Sequence, residues 1–426
     1  MKDGTVGARC SRLAAGAALG TLLWAVPALA DPPAEPAPAP AAAPVAEPAT
    51  PPPAPPPAVP APAVKTEAKP PTDSDAMAAT RPDVLPPIDV GAWSRVGGIF
   101  QGAKNVSKMN DWHMDNAYVE LHAGGKITKK VGVTLNLNSN ITSFSSSFVA
   151  IEDAIISFDL ADEFHVWAGH LLVPVDRANA SGPFFMIPWN YPGFFAGVSA
   201  PLEGPSGRNN GAVVWGDLAG GKFTYLAGAF DNGAVGSSPL YSAHLRLDLL
   251  DPEGGFWGNG SFFGDKDILA IDVGGQYEKH GSSVTVTDPT TMAMTTTDKD
   301  WTDINVGALL EKKIPGGGWV TGEGAYYHYN VLDGGISDTF YILGAYASPA
   351  VGGGNIQPMV RYQWEKVKGP GGTKPWNLDV GLSYLIKGPA LRLLATYSHT
   401  DLTSKFEVGG ETSSNSIQLG AQAIFF

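Results

Sequence analysis

Trp376, Leu378, Val380, Leu382, Tyr384 and Ile386 alternate along the chain with Asn377, Asp379, Gly381 and Ser383. A period of two sends successive side chains to opposite faces of an extended strand, so one face here is apolar and the other polar. Val131, Val133, Leu135 and Leu137 alternate in the same way with Gly132, Thr134, Asn136 and Asn138, as do Tyr241, Ala243, Leu245, Leu247 and Leu249 with Ser242, His244, Arg246 and Asp248. From about residue 91 onward this texture recurs between clusters of Gly, Pro, Asn, Asp and Ser, which are turn formers. It predicts sixteen strands, near 95–102, 115–123, 131–140, 150–160, 163–170, 210–219, 222–231, 240–250, 268–277, 302–312, 318–329, 338–348, 355–365, 376–386, 390–399 and 416–426.

A soluble sandwich shows the same alternation, and the connections decide between the two. Those after odd-numbered strands (103–114, 141–149, 171–209, 232–239, 278–301, 330–337, 366–375 and 400–415) are mostly long. Those after even-numbered strands, such as Ala161-Asp162, Gly220-Gly221 and Lys387-Gly388-Pro389, are mostly short. A sandwich has no reason to sort its loops by parity, whereas a transmembrane barrel has short turns at one mouth and long loops at the other. The predicted fold is therefore an all-β, transmembrane antiparallel β-barrel over 90–426, with both ends of the sheet in the periplasm. Residues 251–267 do not fit, being too long for a short turn. Either Phe256 to Phe263 forms part of a strand or the turn is elaborated, so fourteen or eighteen strands stay open. The last strand alternates Ile417, Leu419, Ala421, Ala423 and Phe425 with Gln418, Gly420 and Gln422, and Phe426 follows one residue beyond.

The segment ahead of the barrel is of another kind. Lys2, Arg9 and Arg12 precede an apolar stretch from Leu13 to Leu29, and Ala28-Leu29-Ala30 is a small-residue cleavage site, so 1–30 reads as a secretory signal peptide. Residues 31–89 read as a periplasmic linker, almost wholly Pro and Ala up to about residue 71. Such a composition builds no core and favours an extended polyproline-type spacer, on the order of 120 Å at about 3.1 Å per residue. It is either a tail without a partner or a tether through 31–71 to peptidoglycan or a periplasmic protein. The single cysteine, Cys10, lies inside the leader and too early for lipid attachment, so neither disulfides nor thiolate chemistry enter. Loss of Lys2, Arg9, Arg12 and Asp3 with the leader leaves 25 basic and 40 acidic residues, a net charge of −15 that argues against a nucleic-acid partner. Mean hydropathy is −0.02, consistent with a barrel whose inner face is wet.

Trp93, Trp112, Trp167, Trp215, Trp257, Trp301, Trp319, Trp364 and Trp376 lie mostly near predicted strand ends, where amphipathic rings favour the headgroup level, and are expected to form the belts that flank a membrane. Three stretches resemble the phosphate-selective porin O and P family. They are IEDAIISFDLADEFHVWAGHLLVPVDRANASGPFF (151–185), with a step from Gly169 to Pro174; TFYILGAYASPAVGGGNIQPMVRYQWEKV (339–367), with the pair Arg361-Tyr362; and SIQLGAQAIFF at the end. The resemblance implies a sixteen-stranded channel in outer-membrane lipid, assembled as a homotrimer.

In such channels the loop after the fifth strand folds into the lumen. Its equivalent here, 171–209, carries Asp176, Arg177, Glu203 and Arg208, which are expected to form the pore constriction; opposed charges across a narrow aqueous slot filter solutes by size and dipole. The polar faces add Glu120, His122, His244, Arg246, Asp248, Asp272, Glu323, Arg361, Glu365 and Arg392 as lumen wall. Phosphate selectivity in the family depends on a ladder of Arg and a cluster of Lys. Basic residues are sparse here and the net charge is strongly negative, so a general pore slightly favouring cations is expected. No nucleophile elbow, phosphate-binding loop or metalloprotease helix motif occurs, the eight histidines are scattered, and Ser398-His399 are better read as wall residues. Neither enzyme activity nor a cofactor is expected. The rival reading is a plugged structural or adhesive barrel that displays loops such as 282–300 and is tethered through its Pro-rich tail.

Overall fold

A computed structural model describes residues 88–103, 111–141, 147–193, 207–231, 238–287, 294–330, 336–369, 372–401 and 413–425. Its strands are β1 (Asp89–Ala103), β2 (Asp111–Lys126), β3 (Val131–Ile141), β4 (Ser147–Ala161), β5 (Phe164–Leu172), β6 (Arg208–Leu218), β7 (Phe223–Asp231) and β8 (Leu240–Asp248). They continue with β9 (Ile268–Thr287), β10 (Met294–Lys313), β11 (Trp319–Tyr329), β12 (Ile336–Ala347), β13 (Asn355–Val367), β14 (Trp376–Lys387), β15 (Leu391–Asp401) and β16 (Ser413–Phe425). One short helix, α1 (Arg177–Ser181), follows β5. Each strand pairs antiparallel with its sequence neighbours, and β1 closes the ring on β16 from Ala92↔Phe425 to Ala103↔Ser414. Closure leaves the wall without an edge, which a sheet in lipid requires. The leader and the Pro-rich segment lie outside the described residues.

Exposure follows the alternation in the sense opposite to a soluble protein. Along β8, Tyr241, Ala243, Leu245 and Leu247 are exposed, while Ser242, His244, Arg246 and Asp248 are buried. β14 repeats this, with Val380 and Leu382 outside and Asn377, Asp379 and Ser383 inside. The exterior is thus apolar and the interior polar, the arrangement of a barrel solvated by lipid.

Of the two long connections, 251–267 resolves to one of its two readings and 278–301 departs from its own. Residues 251–267 contribute no strand; they form an elaborated turn between β8 and β9, which keeps the count at sixteen. Most of the expected loop 278–301 is strand, because the β-branched runs Val284-Thr285-Val286-Thr287 and Thr295-Thr296-Thr297 favour a pleated backbone over a coil. Partner strand β8 stops at Leu240↔Glu278, and beyond it, among the described residues, Ser282–Thr287 pair only with 294–299. A bulge marks the change: His280 takes φ 56°, and Asp300 accepts from the His280 backbone N–H and the Tyr277 hydroxyl, both at 3.0 Å. The β9–β10 hairpin therefore projects about 20 Å past its neighbours, at ~3.3 Å per residue.

Candidate functional site in the barrel lumen

After β5 the chain turns into the barrel. Leu171, Leu172, Val173 and Val175 are almost fully buried and pack on Val213, Leu226, Phe230 and Leu240 from the inner faces of β6, β7 and β8. The Ser242 hydroxyl donates to the Pro174 carbonyl. At Gly274 of β9 the approach is closer still, since a Cβ there would fall 1.7 Å from the Val175 carbonyl oxygen, so only glycine lets the inward segment lie on the wall. Helix α1 follows, its N-terminus capped by Asp176, which accepts from Asn179 N–H at 2.7 Å.

Arg177 is where three parts of the lumen meet. Its Nε donates to Asp272 Oδ2 of β9 at 2.8 Å, and its Nη atoms donate to both Glu253 carboxylate oxygens at 2.8 and 2.7 Å and to the Asn259 carbonyl at 3.0 Å. Burial opposes the guanidinium charge, but Asp272 and Glu253 outweigh it and raise its pKa. His244 completes the cluster at 3.1 Å from Asp272.

Glu253 and Asn259 belong to the turn 249–267, which enters the barrel from the mouth where the short turns lie. Its Gly255 N–H donates to Asp217 at 2.7 Å, and its carbonyl accepts from Arg246 at 3.1 Å. Phe256 stacks on Trp167 at 4.6 Å. Gly258 N–H reaches the Ala180 carbonyl at 3.3 Å, tying the turn to α1. Farther round, Glu311 accepts from Ser261 Oγ and Gly264 N–H, both at 2.7 Å, and from Phe262 N–H at 3.1 Å. Phe263 joins Trp319, Ala347 and Leu385 in a small apolar cluster.

The inward segment then crosses to the other half of the barrel, where three arginines hold its carbonyls. Arg392 donates to Met186 O at 2.7 Å and to Ile187 O at 3.2 Å, Arg95 to Trp189 O at 2.7 Å, and Arg361 to Asn190 O at 2.8 Å. Arg95 also lies over the Trp189 ring, 3.8 Å from its centroid. Gly97 and Gly420 make room for that indole: a Cβ would stand 3.2 Å and 2.5 Å from its carbons. Gln422 donates to Phe184 O at 3.0 Å, and Gly193 N–H donates to Gln363 at 2.7 Å.

A third cluster sits on β2, β4 and β6. A bulge in the β3–β4 pairing between Asn136 and Leu137 turns both Glu152 and Asp153 inward, and Arg208 fits them at 2.9 and 2.8 Å. Tyr118 donates to Glu120 and, at 3.2 Å, to Glu152. His122 lies 3.1 Å from Glu120. Among the described residues no group of three His, Cys, Asp or Glu is placed to hold a metal ion.

Of the expected constriction residues, Asp176 and Arg177 sit in the α1 cluster, Arg208 stands on the wall between Glu152 and Asp153, and Glu203 lies outside the described residues. Glu120, His244, Arg246, Asp248, Asp272, Glu323, Arg361, Glu365 and Arg392 are all buried on the inner face, with Arg392 at 0% and Glu365 at 1% exposure. The tryptophan reading needs correction. Trp215, Trp301 and Trp319 are buried inside, Trp93 packs on Phe184, and Trp257 belongs to the inward turn. Position near a strand end sets a residue's height, while parity sets its face, and parity turns Trp93, Trp215, Trp301 and Trp319 inward. Trp364 and Trp376 stand outside, in a run of rings with Phe340 and Tyr362. The side chain of Trp112 lies outside the described residues.

No protein-family model and no curated protein matches the chain. Among solved structures, OprB of Pseudomonas putida is similar, with TM-score 0.56 and 10% identity over 79% of this chain and 94% of that one. The loop-L8 deletion mutant of OmpT from Vibrio cholerae gives TM-score 0.52 at 13% identity, covering 80% and 99%. OmpF of Salmonella typhi gives 0.51 at 11%, covering 79% and 97%. The barrel has the outer-membrane porin fold. At these identities the likeness concerns fold alone. The wall residues follow strand parity, and the two inward segments, 173–193 and 249–267, pack against the inner face.

Proposed function

We propose that the protein is an outer-membrane channel of restricted aperture, passing small hydrophilic solutes or ions by passive diffusion, with 173–193 and 249–267 as its constriction. The observation that carries this reading is a hydrophilic inner wall covered by two inward segments, so that Gln357, Arg246 and Asp272 are each at most 1% exposed. A wide general pore would leave such rows wet. Kinship with the phosphate-selective porins rests on the three resembling stretches, but phosphate selectivity does not follow. Arg95, Arg361 and Arg392 are engaged by segment carbonyls and Arg177 by carboxylates, which leaves no arginine ladder for an anion to descend. Acidic groups on the inner face such as Glu120, Asp153 and Glu365 bias the interior toward cations. In this reading the long loops face outward, the linker 31–89 stays in the periplasm, and the barrel works as a homotrimer.

Planar-bilayer recording on the purified chain tests the proposal. The expected result is a conductance well below that of an unobstructed sixteen-stranded pore, with a modest cation preference in a KCl gradient. A wide conductance or a strong anion preference would refute it. The projecting β9–β10 hairpin favours a second reading, a plugged barrel that displays 282–300 as an adhesive or structural element. That reading predicts no conductance step at any voltage.

A further inference from the structure

At the long-loop end of the barrel, β11, β12 and β13 leave a cavity of 390 Å³ lined on one side by His328, Asn330 and Asp338, and on the other by Lys366, Lys368 and Lys374. Asp338 organises it. The carboxylate is 10% exposed and accepts from Tyr326 Oη at 2.6 Å, Ser337 Oγ at 2.8 Å and Lys366 Nζ at 3.0 Å, with His328 Nδ1 at 2.9 Å. Three of these partners lie on the lipid-facing side: Tyr326 is exposed, and the His328 and Lys366 side chains are 57% and 48% exposed, while Ser337 is buried. Asp338 is the one carboxylate among the lining residues, against three lysines and a histidine, so the cavity is cationic in a chain of net charge −13.

Its height on the barrel follows from its neighbours. Phe340, Tyr362, Trp364 and Trp376 form a contiguous run of rings on the same outer face, with centroids 5.9 to 6.1 Å apart, and Lys374 Nζ stands 6.0 Å from the Trp364 ring. Aromatic rings on the outer face of a barrel lie at the boundary between acyl chains and headgroups, and lysines just beyond them meet the headgroup phosphates. A free anion would need no such belt, and a solute in transit would not use an outward face.

We propose that this cavity is a binding site for the phosphate of an outer-leaflet lipid headgroup, a phosphorylated glycolipid, gripped by Lys366, Lys368 and Lys374 while its acyl chains lie along the Phe340–Trp376 rings. Asp338 fixes the array and does not itself contact the anion. The site is independent of whether the lumen conducts.

The test is native mass spectrometry of the full chain in detergent, titrated with bisphosphorylated lipid A, with the same lipid stripped of phosphate, and with inorganic phosphate. Lipid A is expected to bind, the dephosphorylated lipid to bind far less, and inorganic phosphate to leave no adduct at the same concentration. Neutralising Lys366, Lys368 and Lys374 to Gln should weaken lipid A binding roughly fivefold per lysine, about a hundredfold together, and Lys→Arg at all three should retain it. Neutralising Lys129, Lys130 and Lys313 at the opposite mouth, with an identical change in net charge, should leave it unchanged. Equal loss in both triple variants, equal binding of the dephosphorylated lipid, or inorganic phosphate competing as well as lipid A would each overturn the proposal. Heat-modifiable migration on gels, retained by every variant, keeps misfolding apart from lost binding.

Discussion

Substituting Ala for Arg95, Arg361 and Arg392 together is expected to raise single-channel conductance several-fold while leaving the barrel folded. These guanidiniums hold the carbonyls of Met186, Ile187, Trp189 and Asn190 through four hydrogen bonds of 2.7 to 3.2 Å. Hydrogen bonds from charged donors are worth about 1.5–3 kcal/mol each, and a desolvated cation over an indole about 2 kcal/mol more, so the far half of the inward segment would lose several kcal/mol of attachment. The sixteen strands keep their own ladder of backbone bonds, so the wall's loss is confined to Asp379, whose buried carboxylate is left without its cation. Asp379, which accepts from Arg361 at 2.7 Å, retains Ser398 at 2.6 Å and Gln363 at 3.2 Å. Planar-bilayer recording reads the effect, and limited proteolysis within 182–193 should quicken in parallel. An unchanged conductance would mean that the segment is held by other contacts or does not restrict the passage.

Arg177→Met should be the most destabilising single change in the lumen, by about 3–5 kcal/mol, the usual cost of stripping the partner from a buried ion pair. Methionine fills much of the same volume, so the loss is chiefly electrostatic: Asp272 and Glu253, whose side chains are 2% and 1% exposed, would be left buried without their cation. Because Arg177 joins α1 to the wall and to the 249–267 turn, both inward segments should loosen at once. A lower denaturant midpoint and faster hydrogen exchange over 173–181 and 253–264 would register it. Adding Asp272→Asn and Glu253→Gln should recover most of the loss, since the orphaned charges then disappear. A single variant as stable as the parent chain would show the cluster to be wet.

The wall was legible from sequence because lipid outside and polar side chains inside impose a strict period of two, and nothing else in the fold competes with it. Parity of loop length chose a closed barrel over a sandwich. The lumen contents were less legible, for two physical reasons. Bulges break parity, and the bulge at Asn136/Leu137 brings Glu152 and Asp153 inward together, which alternation forbids; Arg95 sits beside another, between Arg95 and Gly97. Inward segments have no period at all. The 249–267 turn announced itself through its length and its run of Gly and Phe, as a misfit among short turns, and the closeness of Gly274, Gly97 and Gly420 to docked backbone and indole could be known only with the partner in place. Charge on the inner face was readable, whereas its engagement was not: which arginines meet carbonyls depends on a path across the barrel that no local pattern encodes.

The central claim, that a wall polar on its inner face is covered by the chain's own inward segments, is tested most directly by chemical access to single cysteines. In a chain whose Cys10 is replaced by Ser, Leu245→Cys should be protected from a water-soluble maleimide and quenched by a lipid-phase probe, and Ser242→Cys, three residues away beneath Pro174, should be reached by neither. Rapid labelling of Ser242→Cys from water would contradict the account, because it would mean an open lumen where two inward segments are placed.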